Sequence, residues 1–432
     1  MVVAALAAGC HGHPNAPHPG TAPSLAVEVG KPGQTLRGIA GDGTRMFAAR
    51  SDGATTELES RHGTVLDWHV AVPGSAGPIA TTGDAVIVTL SSAAATKAAW
   101  AVPPGAPLAI RGEPGAAIAA VDAKSGTAAW RLAFDATEWA VITSIAADAS
   151  GVVIGGTFSG TLRAATTVVS SAGKSDGFVA RLSPTGTLAW LVRIGGPGAD
   201  AVQGVATRAD RTAVAGTFTA GADVRGTPLQ PFDEKSPFGD GFVAELDVTG
   251  ARLWSQSFGG KRDDTVAGVA IDTKGRVAVA ATIRDAVRVG TNEVTAHGPS
   301  AGLVFWLSPT GEVGATTLLG GSDFDGLRAI AAVDDRVVVG GFFTGTLPLG
   351  KHAITAIGGD DAFLATINAA GDIESTWQVG GPGREEITAL ATVPGGFLAG
   401  ITHSAAVSIG DDRLPSPADP TGGAALLERP AP

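Results

Sequence analysis

The sequence predicts an all-β fold, namely a seven-bladed β-propeller of four-stranded blades whose ring is closed by a blade split between the two termini. Three observations lead to this prediction. The chain of 432 residues is rich in turn formers, with 62 Gly and 26 Pro. A strand–turn–strand pattern recurs along it, and a second hairpin pattern precedes each copy. Four strands repeated at a fixed period are typical of propeller blades.

The recurring hairpin is clearest in three copies that start at residues 118, 178 and 242, which are 60 and 64 residues apart. They read "IAAVDAKSGTAAW", "FVARLSPTGTLAW" and "FVAELDVTGARLW". Looser copies occupy residues 55–68, 303–318 and 363–377. Each copy alternates apolar and polar residues, breaks at a Gly and alternates again, which indicates a two-stranded hairpin with one buried face.

The upstream hairpin occurs seven times, beginning with "LRGIAGDGTRMFAAR" and ending with "ITALATVPGGFLAG". Near-continuous apolar runs such as "VVIGG" and "VVVGG" indicate strands packed on both faces. Two hairpins per period give the four strands of one blade.

The two chain ends complete this pattern. The terminal "AALLERP" matches the first half of the recurring hairpin, and residues 24–49 read as an outer strand followed by an inner hairpin. We therefore expect the closing blade to take one strand from the carboxy terminus and three from the amino terminus. Such closure leaves no open gap in the ring.

The amino terminus predicts export. In "MVVAALAAGC" a short apolar run ends in Ala8 and Gly9 before Cys10, and a Pro-rich segment follows. This resembles the lipobox of bacterial lipoproteins, which implies cleavage before Cys10 and its acylation. The expected organisation is a signal peptide at residues 1–9, a tether at 10–23 and the propeller at 24–430. The lack of Lys or Arg before the apolar run is compatible with a start further upstream, and the alternative is an incidental cysteine in an ordinary cleaved signal.

The repeats resemble the bacterial seven-bladed β-propeller repeat family, through the hairpins and the "GGPGAD", "GGKRDD" and "GGSDFD" loops. They also resemble the tryptophan-docking repeat of quinoproteins. That resemblance implies that indoles pack against the neighbouring blade, and it assigns a structural role in blade docking to Trp130, Trp190, Trp254, Gly126, Gly186 and Gly250. It does not imply the quinone cofactor.

Composition and motifs argue against several function classes. A net charge of −11 without a Lys/Arg cluster disfavours nucleic acid. One cysteine excludes an internal disulfide framework, and no apolar window is long enough to span a bilayer. The sequence contains no nucleophile elbow, no zinc-spaced His pair and no phosphate-binding loop. We therefore expect no enzyme activity, no metal and no cofactor.

Strand parity predicts a functional face. The link between strands two and three of a blade emerges on the same side as the link to the next blade, and we call this side the loop-rich face. The long connections 91–116 and 219–239 lie there. So do the acidic residues Asp200, Asp263, Asp264, Asp323, Asp325, Glu385 and Glu386.

Gathered carboxylates raise the local concentration of cations, so these residues form a candidate binding face for a cation or a basic partner. The alternative is that they accept backbone N–H bonds in Gly-rich turns or only solvate the loops.

These expectations lead to one main hypothesis and two others. The main hypothesis is a monomeric, non-catalytic propeller lipoprotein of the cell envelope, at the outer membrane or cell surface. It meets the membrane only through its lipid and presents the acidic loop face to an unidentified ligand or protein. The second is a scaffold subunit of an outer-membrane assembly complex. A quinone- or calcium-dependent enzyme is the third.

Replacing Cys10 tests the lipid anchor. A Cys10→Ala variant expressed in the native host should move from the membrane fraction to the soluble fraction, because the thiol that carries the acyl chains is gone. Fractionation followed by mass spectrometry of the amino-terminal peptide measures both location and acylation. An unmodified cysteine in a soluble wild-type protein contradicts the anchor.

Overall fold

A computed structural model describes residues 24–29, 34–91, 99–100, 108–109, 115–233, 238–394, 396–409, 412–414, 416–417 and 423–430. Cys10 and the expected signal peptide and tether lie outside these ranges. The side chains of 24–29 and 423–430 are outside the description as well, although their backbone pairing is described.

Antiparallel sheets with a four-stranded core make up the described residues, and their strands are given from the ring axis outward. Sheet 1 consists of Thr35–Gly41, Met46–Ser51, Thr55–His62 and Val65–Pro73. Sheet 2 consists of Ser75–Thr82, Ala85–Ser91, Ala116–Asp122 and Ala128–Ala136. Sheet 3 consists of Trp139–Asp148, Gly151–Ser159, Asp176–Leu182 and Leu188–Gly195. Sheet 4 consists of Ala201–Arg208, Arg211–Phe218, Asp240–Leu246 and Arg252–Gly260.

The remaining sheets repeat this order. Sheet 5 consists of Thr265–Ile271, Val277–Ile283, Ala301–Leu307 and Val313–Leu319. Sheet 6 consists of Asp325–Val333, Arg336–Phe343, Asp361–Asn368 and Ile373–Gly380. Sheet 7 consists of Glu385–Val393, Gly396–His403, Gly423–Pro430 and Ser24–Val29. The first strand of each sheet contacts the first strands of the sheets on either side, and sheet 7 contacts sheet 1.

This arrangement confirms the prediction of an all-β propeller with four-stranded blades. The second and third strands are the most buried, and every residue of Gly151–Ser159 and Asp240–Leu246 is buried. The apolar runs in the sequence are therefore strands covered on both faces, as their pattern predicts.

The division of the closing sheet corrects the sequence-based expectation. Sheet 7 takes three strands from the carboxy-terminal part of the chain and one, Ser24–Val29, from the amino-terminal part. The expected division was the reverse. The outer strand 24–29 completes sheet 7, whereas the hairpin that follows it starts sheet 1, because an outer strand and the next inner hairpin belong to neighbouring blades.

A further pair of short strands lies in the link between the second and third strands of most sheets, and this was not predicted. Four of these hairpins pair backward with the outermost strand of the preceding sheet. They are Thr161–Ala164 with Thr167–Ser170, Asp223–Val224 with Thr227–Pro228, Ala286–Val289 with Asn292–Thr295, and Val407–Ile409 with Asp412–Leu414. The pair Thr346–Leu349 and His352–Thr355, like Ala99–Trp100 and Leu108–Ala109, forms a separate two-stranded sheet. The four backward hairpins extend their neighbours to six strands, so the links on the loop-rich face join adjacent blades.

The core consists of apolar clusters between sheets, and paired phenylalanines recur inside it. Phe158 and Phe178 pack edge to face in sheet 3, with ring centroids 6.1 Å apart. Equivalent pairs are Phe218 with Phe242 and Phe343 with Phe363. Each pair joins the end of a second strand to the third strand, and each ring is buried. Such contacts contribute about 0.5–1.5 kcal/mol beyond the area that they bury.

Two truncations test the closing sheet. Deleting residues 423–432 removes a strand that is paired on both sides, with Gly396–His403 and with Ser24–Val29. Deleting residues 1–29 removes only the outermost strand. Because a protein of this kind is stable by only about 5–15 kcal/mol, the first deletion should cause aggregation or a Tm lower by more than about 10 °C.

The amino-terminal deletion should have a clearly smaller effect on Tm in the same calorimetric measurement. Equal Tm values for the full-length protein and the carboxy-terminal deletion would contradict the closing role of Gly423–Pro430.

Candidate binding surface on the loop-rich face

The predicted acidic residues divide into buried and exposed groups. Asp200, Asp264, Asp325 and Glu385 are buried, each with an exposed fraction of 2% or less. Asp263 and Asp323 are exposed, and Glu386 is half-buried and forms an ion pair with Arg328. The structure therefore does not bring all seven residues together on an exposed acidic face.

Asp200 shows what the buried carboxylates do. Its Oδ2 accepts a hydrogen bond from the Gly196 amide at 2.6 Å, and its Oδ1 accepts one from the Thr219 amide at 2.7 Å. Asp325 accepts in the same way from the amides of Gly321 at 2.6 Å and Thr344 at 3.3 Å. These two residues organise Gly-rich turns, which is the alternative interpretation of the sequence pattern.

The buried carboxylates lie close to other carboxylates across the sheet boundaries. Burial raises the pKa of Asp200, and Asp176 of the preceding sheet adds to this effect against the opposing amides of Thr219 and Gly196. Gly195 lies between these two side chains with φ of +148°, and a Cβ there would lie 2.7 Å from Asp176 Oδ1 and 2.8 Å from Asp200 Oδ2. Only glycine leaves room for both carboxylates.

The same arrangement recurs twice further along the ring. Burial raises the pKa of Asp264 to about 7, and the neighbouring Asp240 adds to the shift. Burial also raises the pKa of Glu385 to about 7, with Asp361 as the next cause. At the boundary of sheets 5 and 6, Ala301 stands in the position of the second carboxylate. Burial is the largest cause that raises the pKa of Asp325 to about 6 there, and Asp323 adds to it.

The predicted docking residues lie toward the opposite face. The three tryptophans lie near the start of fourth strands, and the three glycines lie in the turns that precede those strands. The Trp130 indole donates to the carbonyl of Pro184 at 2.9 Å, and Trp190 donates to Val248 at 2.9 Å. The Trp254 indole donates to Glu245 at 2.7 Å and to Pro309 of the next sheet at 3.2 Å. Each indole thus reaches the turn of the following sheet.

The predicted glycines lie beneath these indoles. Gly186 has φ of +81°, and a Cβ there would come within 2.4 Å of the Trp130 ring. Gly250 takes the corresponding place under Trp190, and Gly126 lies under Trp68 of sheet 1. The pairing is therefore between successive repeats, with one Trp and one Gly from each side of a blade boundary.

The innermost strands surround a central channel that the sequence analysis did not identify. Its two parts have volumes of about 480 Å³ and 250 Å³. The smaller part lies toward the loop-rich face, and it is lined by one β-bulge position from each of six first strands. These positions are Arg37, Thr143, Gln203, Ala267, Arg328 and Thr388.

A bulge adds an unpaired residue and turns its side chain away from the regular alternation. Here it brings variable residues to the channel wall. The sequence signal is the second position of "LRGIA", "VQGVA", "VAGVA" and "LRAIA", which changes in charge and size while its neighbours stay small or apolar. In the repeat alignment, that variability distinguishes a channel position from a core position.

Exposed aromatic side chains are the second feature that the sequence analysis missed. Among the described residues, the large hydrophobic side chains that are exposed include four aromatic ones: Trp139, Phe232, Phe238 and Phe324. Phe232, Phe238 and Phe324 lie in connections of the loop-rich face, as does Ile357, which is 66% exposed, and Trp139 is the first residue of the strand Trp139–Asp148, which starts at that face. Among the described residues, the large hydrophobic side chains exposed on the opposite face and the outer edge are aliphatic and include Val65, Leu66, Val248 and Leu253.

Within the described ranges, no three His, Cys, Asp or Glu side chains come together as metal ligands. In the same part of the chain, no helix is long and apolar enough to cross a membrane.

A pair of neighbouring aspartates tests the role of the buried carboxylates. Because the pKa of Asp264 rises from 3.8 to about 7 on folding, the folded state binds more protons than the unfolded state between these pH values. The stability from this group is therefore complete below about pH 4 and is lost as pH rises through 7. Asp264→Asn should remove this dependence and raise Tm by a few degrees at pH 8, with little change at pH 4 to 5.

Asp263→Asn removes the same charge from an exposed neighbour, so its Tm should follow that of the wild type across the pH range. Melting curves at several pH values compare the three proteins. Parallel curves for the wild type and Asp264→Asn would show that the buried carboxyl does not titrate as stated.

No family model matches the chain, and no curated protein matches it. Solved structures that it resembles include BamB from Moraxella catarrhalis, with 15% identity, a TM-score of 0.44 and coverage of 91% of this chain and 85% of that one. Hydrazine synthase of Kuenenia stuttgartiensis has 10% identity, a TM-score of 0.49 and coverage of 86% and 94%. Sqt1 of Saccharomyces cerevisiae has 8% identity, a TM-score of 0.47 and coverage of 95% and 100%.

Proposed function

We propose that this protein is a non-catalytic propeller of the cell envelope that binds another protein through its loop-rich face. The observation that carries the proposal is the distribution of exposed aromatic side chains. Phe232, Phe238 and Phe324 lie in connections of that face, and Trp139 starts a first strand beside it. Aromatic residues are enriched at the centres of protein interfaces, where they bury a large area at low cost in side-chain entropy.

The architecture of the proposed binding module is a ring of seven blades closed between the termini. Two observations support it: each first strand contacts those of both neighbouring sheets, and the carboxy-terminal strand pairs with Ser24–Val29. A closed ring holds its connections on a rigid frame. Such a frame limits the conformational entropy that the loops lose on binding.

Charged side chains are exposed on the same face as these aromatic residues. Asp263 and Asp323 are exposed there, and Lys261 and Arg262 are exposed beside Asp263. The loop face is thus of mixed charge. Charges of both signs at a rim mainly affect the rate and specificity of association, while the aromatic side chains supply affinity.

The envelope location is supported by the sequence around Cys10 and the Pro-rich segment after it. A tether of about 13 residues in an extended polyproline conformation reaches about 40 Å. The predicted tether ends where Ser24–Val29 begins, on the outermost strand of sheet 7. An acyl anchor at Cys10 would therefore hold the ring beside the membrane without a membrane-spanning segment.

A pair of matched double variants tests the binding face. Trp139→Ser with Phe324→Ser removes two exposed aromatic residues from the loop-rich face. Val65→Ser with Val248→Ser removes two exposed apolar residues from turns of the opposite face. Affinity purification from solubilised envelopes, after crosslinking in the native host, should recover a partner with the wild type and the second variant, and at least about tenfold less with the first.

Equal recovery with both double variants would contradict binding through the loop-rich face. Recovery of outer-membrane barrel assembly proteins would assign the scaffold alternative. Circular dichroism and Tm of each variant show whether the ring is folded, so that loss of binding can be separated from loss of structure.

A further inference from the structure

A cavity of about 230 Å³ lies between sheets 6 and 7 on the loop-rich face. The residues that line it are Arg328, Phe342, Asp360, Arg384, Glu385, Glu386 and Thr402. The side chain of Arg384 is 79% exposed, so the cavity opens to solvent on that side. Glu385 is 1% exposed and forms part of its wall.

The charges around the cavity leave one carboxylate without a counter-ion. Arg384 Nε lies 3.2 Å from Asp360 Oδ2, and Arg328 pairs with Glu386. These pairs neutralise both cations. Neither oxygen of Glu385 has a hydrogen-bond partner, although the carboxylate is buried. Burying an unpaired carboxylate is costly, and such a group in a native protein calls for a specific explanation.

Two more buried acceptors without donors lie beside Glu385. His403 is opposite Glu385 in the strand register, and its Nε2 has no partner. Its Nδ1 lies 2.9 Å from the carbonyl of Ala405, so Nδ1 donates, and in the neutral imidazole Nε2 is then an acceptor. Asp361 Oδ1 is also unpartnered. The boundary of sheets 6 and 7 thus concentrates hydrogen-bond acceptors that no protein donor reaches.

Other sheet boundaries of the ring provide an internal comparison. The corresponding carboxylates Asp200 and Asp325 accept hydrogen bonds from loop amides, and they are one methylene shorter than Glu385. At the end of the second strand, where sheets 4 and 6 have the buried rings of Phe218 and Phe343, sheet 7 has His403. One oxygen each of Asp176 and Asp264 also lacks a partner at two other boundaries, and the Gly381 amide lies close enough to Glu385 to lower its pKa. Among the described residues, the boundary of sheets 6 and 7 differs in that both oxygens of one carboxylate and a histidine nitrogen lack a hydrogen-bond partner.

We propose that this cavity binds a primary ammonium group, with Glu385 as its counter-ion. An alkylammonium carries one positive charge and three N–H donors, which matches a single unpaired carboxylate among acceptors. In the described part of the chain no triad of metal-ligating side chains is present, so an organic cation fits the donor set better than a metal ion.

The ammonium group has two chemical sources, a small free amine or the lysine side chain of a partner protein. The second source deepens the proposed function and rests on it, since the partner would insert a lysine into the loop-rich face. The first does not depend on a protein partner.

Calorimetric titration with butylammonium and with 1-butanol tests the proposal. Butylammonium should bind the wild type with Kd on the order of 1 mM, whereas 1-butanol, similar in shape but uncharged, should bind at least about tenfold more weakly. Glu385→Gln should weaken butylammonium binding at least tenfold. Asp210→Asn, which removes an exposed charge from the opposite face, should leave it unchanged.

A steric variant covers the case in which Glu385→Gln does not fold. Thr402→Phe introduces the residue that sheet 6 has at the corresponding position, Phe342, and should block the cavity without removing a charge. Nα-acetyl-lysine amide, compared with its Nε-acetylated form, distinguishes a lysine side chain from a free amine as the source.

Equal binding of butylammonium and 1-butanol overturns the proposal, as does unchanged binding of butylammonium in both Glu385→Gln and Thr402→Phe. If no amine binds but the partner capture succeeds, the ammonium site is wrong and the proposed function stands.

Discussion

The structure depends on one constraint: the second and third strands of most sheets are buried on both faces and must be covered from both sides. A single four-stranded sheet has no interior of its own, so each sheet is stable only between two neighbours. A closed ring covers both faces of every sheet, because any open arrangement exposes an apolar face of each of the two end sheets to water. The fully buried strands Gly151–Ser159 and Asp240–Leu246 show how complete the coverage is. The closing strand Gly423–Pro430 is therefore as important as any strand inside a repeat.

The need to cover buried strands also determines which parts of the fold could be predicted from the sequence. Strand periodicity and the recurrence of "FVARL" and "VVIGG" depend on burial, and burial depends on residue type, so the strands and their order were predictable. The division of the closing sheet was not predictable. The segment 24–49 contains an outer strand and an inner hairpin, and their residue pattern is the same whether they belong to one sheet or to two neighbouring sheets. Only backbone pairing assigns Ser24–Val29 to sheet 7.

The acidic residues illustrate the limit at the level of single side chains. Asp263 and Asp264 are adjacent in sequence, yet one is exposed and the other is 2% exposed. Both were assigned to a binding face because the sequence shows which residues carry a carboxylate but not whether the side chain points to solvent or into the protein. Whether a carboxylate is buried or exposed depends on its separation in sequence from the preceding Gly-Gly pair. At the right separation the carboxylate points back into the turn, as Asp200 does toward the Gly196 amide. The exposed aromatic residues were not predicted because residue type alone suggests burial. In a repeat alignment, an aromatic residue in a loop resembles a core residue that is shifted by a few positions.

The tryptophan contacts are distributed unevenly around the ring, and this affects where neighbouring sheets separate most easily in local opening. Indoles reach the next turn at the boundaries between sheets 1 and 2, 2 and 3, 3 and 4, and 4 and 5. At the boundary of sheets 5 and 6, Ala315 lies against the corresponding glycine, Gly371. The free energy of local opening follows the number of packed contacts that must be broken. At the boundary of sheets 6 and 7 an aromatic contact returns, since the Trp377 ring packs against Phe397 with ring centroids 6.4 Å apart. Local opening should therefore be easiest at the boundary of sheets 5 and 6, and amide exchange should be faster there than at the four boundaries that an indole hydrogen bond bridges.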